Sequence, residues 1–135
     1  MTRRALLPAA LVPAALLAAG CGGSKPYTAS GTAPCLRDKG FTEVTTNPAQ
    51  VGFIAGFAEN GGLRATTEMG NVVTIAFAAD EASAGSTRQA FRRHAPPQLR
   101  PHMNDIMESK GNAVLVWTVT PDPENLANAE GCLHS

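Results

Sequence analysis

Two cysteines, Cys35 and Cys132, stand almost at the two ends of the part of this 135-residue chain that can form a globular domain. Outside the cytoplasm, two cysteines so placed most simply form a disulfide. Closing a loop of about 100 residues stabilises a domain by up to about 4–5 kcal/mol, because it restricts the unfolded chain. A redox pair or a metal thiolate site is favoured by a C-x-x-C spacing, which the chain lacks. We therefore predict a structural disulfide that ties the start of the domain to the C-terminus.

The first twenty residues indicate that the chain leaves the cytoplasm. Arg3 and Arg4 precede an apolar run at residues 5–17, and small residues follow at 18–20. This is the three-part build of a secretory signal. The apolar run is shorter than the roughly 20 residues that span a bilayer, and Pro8 and Pro13 interrupt it. We expect residues 1–20 to be a signal peptide.

The third cysteine, Cys21, directly follows the small residues at 18–20 and precedes two glycines. This arrangement resembles the lipobox of bacterial lipoproteins, although Ala18 stands where that motif prefers leucine. The resemblance implies that Cys21 is linked to diacylglycerol, carries acyl chains such as palmitate, and becomes the first residue after cleavage. Two or more acyl chains give stable anchoring, so the protein would be held on the outer side of the cytoplasmic membrane. An ordinary signal peptide, cut near Ala19 or Gly20, would instead leave Cys21 as a free thiol.

The chain after the signal peptide divides into a tether and one domain. Residues 21–33 hold Cys21 and a stretch rich in Gly, Ser and Thr, which is typical of a flexible tether, and residues 34–135 form a domain of ordinary size. Loss of Arg3 and Arg4 lowers Lys and Arg from 11 to 9 against 11 acidic residues, a formal net charge of −2. A nucleic-acid partner is not expected, because such domains carry a basic excess. As a whole the chain resembles short actinobacterial lipoproteins, a likeness that implies a location and no activity.

The order of predicted elements is strand, helix, hairpin, helix, strand, helix. A strand at 41–46 precedes a helix that Asn47 and Pro48 introduce, with Val51, Ile54, Phe57 and Ala58 at helical spacing and a buried strand as the alternative. The hairpin has a three-residue loop at 69–71, which pairs Leu63 with Phe77. Such an order favours the α+β class, a small antiparallel sheet with helices packed on one face and closed by the disulfide.

Three further elements follow the hairpin. A helix from Glu81 to His94 is capped by Asp80, and residues 100–112 form one short helix that turns Met103, Ile106 and Met107 inward. Residues 113–120 are the strongest strand pattern of the chain. A last helix begins with Asp122 as its cap and Pro123 in its first position.

Two clusters indicate candidate sites. One cluster consists of four arginines on one helix and the loop after it: Arg88, Arg92, Arg93 and Arg100. Their guanidiniums suit an anionic polymer or a lipid headgroup. The alternative is a charged face that only contacts solvent. His102, Met103 and Met107 could bring soft copper ligands to one helical face with Met69 or His94, but methionines at this spacing are more typical of a core. We assign no metal ligands and no cofactor.

No nucleophile elbow, zincin motif or phosphate-binding glycine loop occurs in the chain, so we assign no catalytic residue and do not expect an enzyme. The sequence predicts a membrane-anchored lipoprotein that acts as a small binding or interaction module of the cell envelope. Its partner would be an envelope protein or an anionic polymer. The alternative is a metal-handling protein or a small hydrolase of the envelope.

Overall fold

The computed structural model describes residues 24–135, and the predicted signal peptide and Cys21 lie outside the described residues. The helices are α1 (Ala29–Asp38), α2 (Phe53–Gly56), α3 (Glu81–His94), α4 (Met103–Ile106) and α5 (Pro123–Gly131). The strands are β1 (Thr42–Thr45), β2 (Gly62–Thr66), β3 (Val72–Phe77), β4 (Met107–Lys110) and β5 (Ala113–Trp117). Within residues 24–135, no helix has both the length and the apolar character that crossing a membrane requires.

The five strands form one antiparallel sheet in the order β1-β2-β3-β5-β4. Successive side chains along a strand point to opposite faces. On one face the largest buried side chains of the inner strands meet, among them Leu63, Ile75, Phe77, Leu115 and Trp117, each at most 1% exposed. The α+β class and the antiparallel sheet predicted from the sequence are confirmed.

Helices lie against both faces of this sheet. Helix α1 covers the main core face with Leu36, and Ala129 of α5 joins the same core. On the second face, Ala55 of α2 packs with Ala76 of β3, and Phe91 of α3 is packed against them. Helices were expected on one face only, but Ala76 and Val114 give the second face apolar side chains as well, and both residues are fully buried.

The Cys35–Cys132 disulfide is present, as predicted, and joins two residues 97 positions apart. It links α1 to the residue that follows α5. Beside it, Thr28 N–H donates to the carbonyl of His134 at 2.8 Å, and His134 N–H donates to Thr32 Oγ1 at 3.1 Å. The two ends of the described chain are therefore held together.

The domain begins earlier than expected, because α1 starts at Ala29 inside the stretch assigned to the tether. Thr28 caps the helix by accepting a hydrogen bond from Gly31 N–H, and Ala29, Thr32 and Ala33 are buried. Small residues that looked like a flexible linker pack closely against the sheet instead. The predicted domain boundary at residue 34 is wrong for this reason.

The loop between β2 and β3 has three residues, as predicted, but it lies at 68–70 instead of 69–71. Leu63 pairs with Ile75 and not with Phe77, a shift of two residues that leaves every side chain on its predicted face. Thr67 N–H donates to the carbonyl of Asn71, and the Thr67 hydroxyl accepts from Asn71 N–H. These bonds close the loop over Glu68, Met69 and Gly70, with Gly70 supplying the left-handed conformation at φ 85°.

Two local predictions fail where tertiary packing decides the outcome. The helix expected after Pro48 is reduced to the four residues of α2, and Phe57 is exposed. The single helix expected over 100–112 is a 3-10 turn at Arg100–His102, followed by α4 and the edge strand β4. Met103, Ile106 and Met107 are buried as predicted. The helix Glu81–His94 with its Asp80 cap, and α5 with its Asp122 cap, are confirmed.

Candidate functional site

An apolar groove of about 520 Å³ lies on the second face of the sheet, between α2 and the C-terminal part of α3. Its floor is formed by Thr74 of β3 and Val116 of β5, which point to the face opposite the main core. Its walls come from α2 with the residues before it and from α3: Val51, Gly52, Phe53, Ile54, Ala55, Phe91 and His94. Thr74 and His94 contribute the polar side chains of the lining.

Close backbone contact holds α2 against the sheet. An added Cβ at Gly62 would collide with the backbone carbonyl of Ala55, and one at Gly56 would lie 2.8 Å from the carbonyl oxygen of Pro48. The absence of a side chain at Gly62 lets the short helix rest directly on β2, and its absence at Gly56 lets the helix approach the backbone of Pro48. Ala55 of α2 and Val51, just before the helix, are buried, at 1% and 3% exposure. One wall of the groove is therefore fixed by backbone packing.

Phe53, in this wall, and Phe57, directly after α2, face solvent. Phe53 and Phe57 are 78% and 79% exposed, and their ring centroids lie 5.0 Å apart with the planes tilted by 52°. This geometry is common for packed aromatic pairs, yet here almost the whole pair is in water. Contiguous exposed apolar surface of this kind marks interaction sites in soluble domains. We call Phe53 and Phe57 the aromatic pair.

A second cavity, about 530 Å³, lies at the edge formed by β1 and β2 and is polar. Its lining includes Glu43, at φ 48° in an irregular stretch of β1, and Arg64. Its hydroxyl groups bond within the lining: Thr66 Oγ1 donates to Glu43 Oε2 at 3.0 Å, and Thr45 Oγ1 donates to Gln50 Oε1 at 2.7 Å. Because these groups already satisfy one another, the apolar groove is the stronger candidate site.

The four arginines predicted as an anion site differ in their position and direction and in their hydrogen bonds. Arg88 and Arg92, four residues apart, share one flank of α3, whereas Arg93 is turned about 100° from Arg92 at 3.6 residues per turn. Arg92 Nη1 donates to Asn104 Oδ1 at 2.9 Å, and Arg100 Nε donates to the carbonyl of Ala95 at 3.0 Å. Two of the four guanidiniums are thus engaged in bonds within the domain. Anion binding by these arginines stays a prediction.

The residues considered as copper ligands are separated by the fold. Met103 and Met107 are 3% and 5% exposed and belong to the main core, as the core interpretation predicted. His102 is exposed on the 3-10 turn, and Met69 is 91% exposed at the tip of the hairpin. Among residues 24–135, no group of three or more His, Cys, Asp or Glu side chains is placed to hold a metal ion.

The groove itself was not foreseen from the sequence. Its residues come from positions 51–55, 74, 91, 94 and 116, and no local pattern connects them. The one available signal was the spacing of Phe53 and Phe57, four residues apart in a short segment that contains Gly52 and Gly56. A scan against protein-family models and searches of curated proteins and of solved structures found no match to this chain.

Proposed function

We propose that this chain is a lipid-anchored lipoprotein on the outer side of a cytoplasmic membrane, and that its domain is a binding module of the cell envelope that takes an apolar group into the groove between α2 and α3. The observation that carries the binding role is the groove. It combines aliphatic and aromatic walls with the polar groups of Thr74 and His94. Ligand sites usually have this composition, with volumes of about 300–1,000 Å³.

Two features support the location. Residues 1–23 have the order of charges, apolar residues, small residues and cysteine that is typical of a lipoprotein signal. The Cys35–Cys132 disulfide fits an oxidising compartment, in which such bonds form and persist. With Cys21 assigned to lipid attachment, each of the three cysteines has a role.

The anchor is tested by the intact mass of the protein extracted from the native membrane fraction, together with non-reducing peptide mapping. We expect the mass of residues 21–135 plus a diacylglyceryl group, and one peptide pair joined through Cys35 and Cys132. Substitution Cys21→Ala should leave the disulfide in place and release the chain from the membrane fraction. An unlipidated chain with a free Cys21 thiol would contradict the proposed anchor.

The binding role is tested by filling the groove and comparing a matched variant outside it. Val116 lies in the floor of the groove, whereas Val119 is 60% exposed beyond the end of β5 and does not line it. We expect Val116→Phe to weaken binding of the fluorescent fatty acid cis-parinaric acid by about tenfold, which corresponds to about 1.4 kcal/mol. Val119→Phe adds the same side chain and should leave the affinity unchanged. Equal affinities for both variants and the wild type would exclude the groove as the binding site.

A further inference from the structure

The backbone of Tyr27 fixes where the tether joins the domain. Tyr27 N–H donates to Asn112 Oδ1 at 2.8 Å, and Asn112 Nδ2 donates to the carbonyl of Tyr27 at 2.9 Å. Tyr27 follows Cys21 by six positions along the chain, and each step adds at most about 3.6 Å of reach. A lipidated Cys21 would therefore hold Tyr27 within about 22 Å of the anchored residue.

Asn60 contacts the segment that follows this junction, and Phe57 of the aromatic pair lies three residues before Asn60. Ala29 N–H donates to the carbonyl of Asn60 at 3.1 Å, and an added Cβ at Gly61 would lie 3.0 Å from Ala29 Cβ. Phe57 precedes Asn60 by three residues, so its Cα lies within about 11 Å of the Asn60 Cα. Met69 stands at the opposite end, because β2 runs the five residues from Gly62 to Thr66 away from this junction before the hairpin turns.

We infer that Phe53 and Phe57 rest in the interface of the membrane that holds the lipid on Cys21, and so form a second contact between the domain and the bilayer. This inference rests on the proposed anchor. The short tether keeps the junction end of the domain near the bilayer surface, and the Phe57 Cα lies within about 11 Å of the Asn60 Cα at that end. Apolar side chains of surface-bound segments enter the boundary between headgroups and acyl chains, about 5–10 Å deep.

A lipid surface is the occupant that the short tether brings within reach of the aromatic pair. Lys25 is exposed in the tether beside the junction, in a cavity that Asp80 and Glu81 also line, so the local charge is mixed. The aromatic pair would also orient the domain, since a flexible tether alone leaves its rotation free.

The test places a reporter at the aromatic pair in the lipidated chain. Phe53→Trp and Phe57→Trp are each purified with verified lipid mass and reconstituted into vesicles of phosphatidylcholine and phosphatidylglycerol, with or without brominated acyl chains. Met69→Trp, at a position that is 91% exposed, is the control at the far end of the sheet. The native Trp117 is 1% exposed, and the wild type gives its baseline emission.

We expect brominated lipids to quench the tryptophan fluorescence of both Phe→Trp variants on the order of twofold, because their side chains would lie about 5–10 Å into the interface. The fluorescence of Met69→Trp should stay near the wild-type baseline. Lipidated variants that are quenched no more than Met69→Trp would overturn the inference and leave the anchor intact. An emission shift that follows protein concentration without lipid quenching would overturn it as well and assign the pair to a second copy of the chain. A mass without diacylglycerol would overturn the proposed anchor, and the inference with it.

Discussion

The buried side chain of Asn112 holds the backbone of Tyr27 through two reciprocal hydrogen bonds, one received from its N–H and one given to its carbonyl. The same amide donates to the carbonyl of Ala78 at 2.8 Å. Asn112 thereby ties the segment before α1 to the segment that joins β3 and α3. The Asn112 side chain therefore pairs with the backbone of Tyr27 as a neighbouring strand would, and adds to the bonds that Thr28 and Ala29 make with the rest of the domain.

We expect Asn112→Ala to lower the free energy of unfolding by about 2–3 kcal/mol, because the N–H and carbonyl of Tyr27 lose their partners in a partly buried place. Ala78 keeps a bond from Asn60 Nδ2 at 2.7 Å, which limits the loss. Urea unfolding of the two proteins measures the difference. Asn104→Ala, at an exposed position, is the control and should change stability by less than about 0.5 kcal/mol. Similar values for the two variants would show that the reciprocal bonds contribute little.

Loss of the disulfide should have the largest effect on stability. We expect the double variant Cys35→Ala, Cys132→Ala to lose about 4–5 kcal/mol, because the closed loop of 97 residues no longer restricts the unfolded chain. Chemical unfolding with and without a reductant provides the measurement. Reduced wild-type protein should match the double variant, while Cys21→Ala should match the oxidised wild type. A double variant within about 1 kcal/mol of wild type would mean that the unfolded chain is already restricted.

Two glycines provide a matched pair of substitutions. Gly62→Ala should destabilise the domain by about 1–3 kcal/mol, because the new Cβ meets the backbone of Ala55 and pushes α2 from the sheet. Gly85, inside α3, has open space where an alanine Cβ would lie, so Gly85→Ala should stabilise by about 0.5–1 kcal/mol. Thermal unfolding of both variants gives the signs. A Gly62→Ala variant at least as stable as the wild type would contradict the close packing of α2.

Stability should fall in acid through two helix caps. The Ser83 hydroxyl and backbone N–H, both 2.7 Å from Asp80 Oδ1, lower the pKa of Asp80, and the backbone N–H and side chain of Asn125 lower the pKa of Asp122. A lowered pKa in the folded state stabilises the fold above the unfolded value of about 3.9, and this contribution is lost as the pH falls through the folded value.

The double variant Asp80→Asn, Asp122→Asn keeps side chains that cap helices well but no longer titrate. We expect its melting temperature to depend less on pH than that of the wild type below about pH 4, where the wild-type carboxylates take up protons. Calorimetric scans between neutral and acid pH measure the two slopes. Parallel curves would show that other carboxylates govern acid unfolding.

Local chemistry made much of this fold predictable. Asp80 and Asp122 mark helix starts by residue type alone, and both caps are present. The alternation of Val73, Ile75 and Phe77 predicted the correct faces of the hairpin, although hydrogen bonds of Thr67 moved its register by two residues. Period-two patterns determine the face of a strand and leave shifts of two residues open.

The parts that failed depend on contacts distant in sequence. Ala29 and Ala33 belong to a small-residue stretch that is helical only because the sheet and the C-terminal residues bury it. Met107 fitted a helical spacing with Met103, yet it opens an edge strand that pairs with β5. The groove combines residues from four segments, and Val116 and Thr74 become neighbours only through strand pairing. Sequence patterns predict the structure of each segment, but they do not predict which segments pack together to form a groove.

The disulfide also makes most of the domain a covalent ring, since residues 35–132 are closed between their two ends. Exposed stretches inside that ring, at 46–50 and 96–98, are natural places for a protease to cut. One cut there opens the ring but separates nothing, because both pieces stay joined through Cys35 and Cys132. A nicked molecule would have the mass of the intact chain plus one water. Its C-terminal piece would separate from its N-terminal piece only after reduction of the disulfide.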